Sequence, residues 1–130
     1  MRSGARKWSM EQHVTFETRA GRRYAVSRSS NCFIRTQQAF LDLLAWGTEN
    51  NTNLFLLDDT DLAPELYDLK TGLAGEILQT LSNYNARLAI VGSFDMVVGK
   101  RFRELMLESN KGSQLPFAQS RDEAISWLMR

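Results

Sequence analysis

Two short, unbroken apolar runs, NLFLL at 53–57 and RLAIVG at 87–92, constrain the fold more than any other feature of the chain. Each is bounded by polar residues and is too short for a stable helix, so each reads as a strand covered on both faces. Between them Leu73, Ile77, Leu78, Leu81 and Tyr84 recur at helical spacing. Strand, helix and strand in that order imply a parallel pair joined by a crossover.

The flanking segments extend this unit. Alternation in HVTFET, the Ala20-Gly21 turn signal and YAVS predict a β-hairpin. From Thr36 as N-cap, the positions Phe40, Leu43, Leu44 and Gly47 follow helical periodicity, and Asn50-Asn51 marks a stop. Pro64 in DLAPELYD suits the first position of a short helical turn. Beyond the loop SFDMVV, a helix from Gly99 to Asn110 is expected to bury Phe102, Leu105 and Met106. LPFA reads as a last strand, placed at a sheet edge because Pro116 cannot donate a ladder bond. Ser120 and Glu123 then form a capping box opening a helix that buries Ala124, Ile125, Trp127 and Leu128. The order ββαβαβαβα defines an α/β domain with a mostly parallel, mixed sheet, packed helices and an N-terminal β-hairpin. In such sheets ligands meet the loops at the carboxyl ends of the strands, here residues 58–72 and 92–99.

Composition narrows the classes. The chain has 130 residues, 43% of them hydrophobic and 24% charged, which fits a globular domain rather than a disordered segment. One domain over 10–130 is expected, with MRSGARKWS at 1–9 as a disordered leader. The single cysteine, Cys32, excludes an intrachain disulfide, and no apolar run is long enough to span a bilayer; a cytoplasmic, non-membrane protein is expected. Residues 1–35 hold eight Lys/Arg against two acids, and residues 36–130 hold eight against thirteen. The basic excess consists of scattered arginines without a binding motif, so no nucleic-acid partner is expected. No Gly-rich phosphate loop or zinc spacing occurs, and no cofactor is expected. His13 is the only histidine, so a Cys-His or Ser-His pair with Cys32 would need a contact that the sequence does not show.

The stretch DLKTGLAGEIL at 68–78 carries two glycines at the start of a helix. Gly72 falls in the turn before it. Gly75 lies opposite the apolar stripe on a helical wheel, where a glycine costs roughly 1 kcal/mol against alanine and gains no core packing. A close-approaching partner is one reason to keep it. Asp68, Lys70, Thr71, Gly72, Gly75, Glu76 and Gln79, with the adjoining loops 58–61 and 93–99, therefore form the expected partner-binding surface, for another protein or a second copy of the chain. An exposed Trp46 would add a further contact of that kind. The alternative is a small Mg²⁺-dependent enzyme or ligand-binding domain, with Asp58, Asp59 and Asp95 as oxygen ligands and Asp61 close behind them.

The stretches DLKTGLAGEILQTLSNYNARLAIVGSF, FRELMLESNKG and EAISWL closely resemble a bacterial domain-of-unknown-function family, DUF 4180, from about residue 13 onward. That resemblance supports the domain but implies no catalytic residues. More distantly, KTGLAG and the element order look like the STAS fold of sulphate transporters and anti-sigma-factor antagonists, where a hydroxyl residue followed by Gly-Leu-Gly opens a helix and is phosphorylated to switch binding. By that resemblance Thr71 would be the phosphoacceptor of a non-catalytic regulatory module. Ala74 replaces a glycine of that pattern and Lys70 a small residue, and the loop after NLFLL is longer.

Overall fold

The hairpin forms where the alternation places it. In the computed structural model, which describes residues 10–28, 32–93 and 99–130, strand β1 (Val14–Arg19) pairs antiparallel with β2 (Arg22–Ser27). Ala20 and Gly21 both take positive φ, 54° and 75°, the backbone twist that a two-residue hairpin requires. Helix α1 (Gln37–Glu49) is capped by the Thr36 side chain, which accepts from Ala39 N at 3.0 Å, and Asn51 leaves it at φ 63°. Its buried residues are Phe40, Leu43, Leu44 and Gly47, the four that periodicity selected.

Strand β3 (Leu54–Asp58) follows, then three short 3₁₀ turns, Asp59–Asp61, Pro64–Tyr67 and Leu69–Thr71, which lead into α2 (Leu73–Asn83). Strand β4 (Arg87–Val91), α3 (Lys100–Ser109), β5 (Phe117–Ala118) and α4 (Arg121–Leu128) complete the order. The SFDMVV loop falls mostly on 94–98, outside the described residues, as does the 1–9 segment.

The sheet runs β1-β2-β3-β4-β5, antiparallel between the first two strands and parallel thereafter. Every crossover advances one strand in the same direction, so crossovers of one hand place their helices on one face. The core divides accordingly. Phe40, Leu43, Ile77, Leu81 and Phe102, from α1, α2 and α3, pack with Ala25, Phe55, Leu57, Leu88, Ile90 and Phe117. The alternate strand residues, Tyr24, Val26, Leu54, Leu56, Ala89 and Ala118, pack with Ala124, Ile125 and Leu128 of α4. Both faces of β3 and β4 are covered, as the unbroken apolar runs require.

Several details differ from the sequence reading. Tyr84 caps the end of α2 and is exposed, because the helix stops at Asn83 before the stripe reaches it. In α3 only Phe102 is fully buried, with Leu105 and Met106 at the margin of the core. Trp127 is half-buried, its ring under the Arg130 guanidinium at 5.3 Å. Ser120 Oγ accepts from Glu123 N at 3.2 Å, but the Glu123 carboxylate reaches one residue further back, to Gln119 N at 2.9 Å. Strand β5 is an edge of the sheet, as Pro116 implies; Ile90 N donates to Pro116 O at 3.0 Å.

Candidate functional site at the carboxyl edge of the sheet

Strand order decides what kind of site this sheet can offer. A crevice between diverging helices forms where strand order reverses, and here it never does. The carboxyl edge is instead a surface built by the β3–α2 connection and the start of α3, with a shallow cleft between Tyr67–Lys70 and Gly99–Phe102.

The connection is tightly self-bonded. The Asp68 side chain accepts from Lys70 N at 3.0 Å, an Asx turn that starts the last 3₁₀ segment. The Thr71 hydroxyl donates toward two backbone carbonyls, Glu65 O at 2.7 Å and Asp68 O at 2.9 Å, and accepts from Leu73 N at 3.3 Å. Thr71 thus ties the loop to itself. Gly72 is the N-cap of α2 at φ 79°, a left-handed conformation that L side chains adopt at a cost. Gly75 is in the first turn of α2 and exposed, and a Cβ there would meet nothing within 4 Å. Asp68, Lys70, Thr71, Glu76 and Gln79 are exposed beside it, along with Leu69, so the structure brings the seven residues of the expected surface onto one continuous stretch.

Gly47, the other glycine inside a helix, has an internal reason. A Cβ there would overlap the Phe55 ring and come within 3.0 Å of Thr52 O, so α1 lies against β3 at a distance only glycine allows. The two helical glycines thus differ: Gly47 is required by packing against Phe55, and Gly75 has no such neighbour among the described residues.

The acids after β3 divide in role. Asp58 and Asp59 are half-buried, and the Asp59 carboxylate lies so close to Gly92 that a Cβ there would sit 2.5 Å from its Oδ2. Burial, with the neighbouring Asp58 charge, raises the Asp59 carboxyl above its ordinary range, while the backbone bond from Thr60 opposes the shift. Tyr67 Oη donates to Asp59 O at 2.7 Å, and burial pushes its phenol far up. Asp95 lies outside the described residues. Among the described residues, no three His, Cys, Asp or Glu side chains are placed to hold a metal ion.

Asp61, which the sequence places beside the candidate oxygen ligands, is instead turned wholly inward. It has no solvent exposure; Oδ2 accepts from Asp58 N at 2.8 Å, and the Ser27 hydroxyl also bonds the carboxyl. A D-x-x-D spacing straight after a buried strand was the available signal, since it allows the second acid to fold back onto the first residue's amide. His13 and Cys32 both fall near this edge. The His13 ring stacks on Phe33 at 4.5 Å, and among the described residues it makes no hydrogen bond to Cys32, which is half-buried. Trp46 is half-buried against Phe16 and offers no exposed ring.

The fold and this edge define an open α/β sheet domain with a self-bonded loop surface at its carboxyl end. A sequence model of the family described as "Domain of unknown function (DUF4180)" matches residues 19–128, and the chain belongs to that family. No curated protein and no solved structure matches the chain. No helix among the described residues is long and apolar enough to cross a membrane.

Proposed function

We propose that the domain is a non-catalytic, STAS-like interaction and regulatory module of the cytoplasm. Its binding surface is Asp68, Lys70, Thr71, Gly72, Gly75, Glu76 and Gln79, with the cleft toward α3 beside it. The observation that carries this reading is Gly75. It keeps a helix-weakening residue on an exposed face where no contact among the described residues needs it, whereas Gly47 is explained by Phe55. A missing side chain there lets a partner's backbone approach the helix closely. Lys70, Lys100 and Arg101 line the adjoining cleft and have no ion-pair partner among the described residues, which favours a partner presenting acidic groups.

Thr71 is the switch position in this reading. Phosphorylation would remove the proton that its hydroxyl shares with Glu65 O and Asp68 O and add about −1.5 to −2 charge at the start of α2. The modification would therefore change the loop's shape as well as its charge. A second copy of the chain is an admissible partner.

Affinity capture with wild type and Gly75→Glu in parallel tests the surface. Loss of one specific partner by a variant whose circular dichroism is unchanged and whose melting temperature is not lowered supports it, and identical capture profiles refute it. Mass spectrometry that finds no modified Thr71, together with unchanged capture by Thr71→Asp, would remove the switch while leaving the surface.

A further inference from the structure

The sheet treats its two edges differently. At β5, Ile90 N donates to Pro116 O and Gly92 N to Ala118 O, so the backbone groups of Phe117 point outward. Both are taken: Phe117 N donates to Asn110 Oδ1 at 2.7 Å, and Asn110 Nδ2 donates to Phe117 O at 3.1 Å. That edge is two residues long, follows a proline and is closed by a side chain, all devices that keep other strands away.

Strand β1, at the opposite edge, has none of them. It is six residues long, pairs with β2 without a bulge and contains no proline or lysine. Arg28 N donates to His13 O at 2.9 Å, and in this register the antiparallel alternation turns the N–H and C=O groups of Thr15, Glu17 and Arg19 toward β2 and those of Val14, Phe16 and Thr18 outward. Among the described residues no other backbone group bonds them. On the α1 side of the edge Phe16 is half-buried against Trp46. On the α4 side Glu17 is drawn back from the edge, accepting from Tyr24 Oη at 2.8 Å and lying 3.9 Å from the Arg121 guanidinium.

We propose that β1 pairs antiparallel with β1 of a second copy of the chain about a two-fold axis, joining the two sheets into one. Charge and strand length select a single register. An axis at Phe16 sets Phe16 on Phe16, Val14 on Thr18 and Thr15 on Glu17, which pairs the strand along its length, puts a hydroxyl donor opposite each carboxylate and leaves no like charges directly opposite. An axis at Glu17 opposes the two Glu17 carboxylates. One at Thr18 faces Phe16 with Ala20, where a φ of 54° has already turned the chain, and one at Thr15 faces Glu17 with His13, before β1 begins. The strand is thus complementary to itself, which favours a second copy over an unrelated strand. The edge carries no residue of the surface proposed on α2, so the two readings stand separately.

Sedimentation velocity of the full chain over a concentration series, with amide hydrogen exchange, tests the pairing. A reversible dimer is expected, and its formation should slow exchange at Val14, Phe16 and Thr18. Thr18→Pro removes an outward donor while leaving the β1–β2 ladder intact, and because the two-fold repeats the loss it should weaken the dimer about tenfold or more. Thr15→Glu sets like charges opposite Glu17 and should weaken the dimer, whereas Thr15→Lys sets opposite charges there and should tighten it, each by about threefold or more. A chain that stays monomeric up to about 1 mM, a dimer that Thr18→Pro leaves unchanged, or Thr15→Glu and Thr15→Lys acting alike would each overturn the proposal. So would slow exchange of the three outward amides in the monomer, because another segment of the chain would then cover the edge. Should Thr18→Pro fail to fold, the two variants at the exposed Thr15 carry the test.

Discussion

Replacing Gly75 by alanine should make the isolated protein more stable. The residue is in the first turn of α2, its φ is not left-handed, and a Cβ would meet nothing within 4 Å, so the substitution introduces no clash and no strain. What remains is the backbone term. Alanine restricts the unfolded chain and favours the helix by about 0.5–1 kcal/mol. For a chain of 130 residues the entropy of unfolding is about 0.27 kcal/mol per kelvin, so the melting temperature should rise by about 2–4 °C. Differential scanning calorimetry and urea titration of wild type and Gly75→Ala, each at two protein concentrations ten-fold apart, measure this directly. A lower melting temperature at both concentrations would refute the reasoning, because it would mean that the chain itself uses the space over Gly75. A gain in stability combined with weaker partner capture would show the glycine being kept at a cost to the fold.

Gly47→Ala should act in the opposite direction, losing about 1–3 kcal/mol in urea unfolding as the new methyl forces Phe55 and α1 apart. Asp61 should make stability depend on pH: its folded-state carboxyl near 6 lies above the unfolded value of 3.8, so its contribution is fully present below about pH 4 and is lost as pH rises through about 6. Urea midpoints should fall by the equivalent of about 2 kcal/mol across that window, and Asp61→Asn should flatten the curve there. Thr71→Val keeps the shape but removes the hydroxyl bonded to Glu65 O and Asp68 O, and should cost about 1 kcal/mol with faster exchange confined to the 64–72 loop. Ser120→Ala should cost about 1 kcal/mol by uncapping α4, read as a lower melting temperature.

Elements governed by local periodicity were legible in the sequence. NLFLL and RLAIVG are strands covered on both faces, and Phe40, Leu43, Leu44 and Gly47 form the buried face of α1, because continuous apolarity and a 3.6-residue repeat are properties of neighbouring residues. Tyr84 and Trp127 show where that logic ends. A stripe says which side of a helix is apolar, but where the helix stops and how far the sheet reaches beneath it are tertiary facts. The site divides in the same way. Gly75's exposure follows from wheel geometry, whereas the burial of Asp61 depends on β2 delivering Ser27 and on 33–34 folding back onto 61–63, contacts made across more than 25 positions of sequence.

The one-sided layout of the helices also sets a sequence of events in time. Tyr24, Val26, Leu54, Leu56, Ala89 and Ala118 share a face whose described helical cover is α4, and α4 is synthesised after all five strands. While the chain is emerging, the α1–α3 side can close strand by strand, but the opposite side stays bare until residues 121–128 are clear of the ribosome. The domain therefore completes folding late rather than progressively, and its exposed sheet face is the surface a chaperone would meet first.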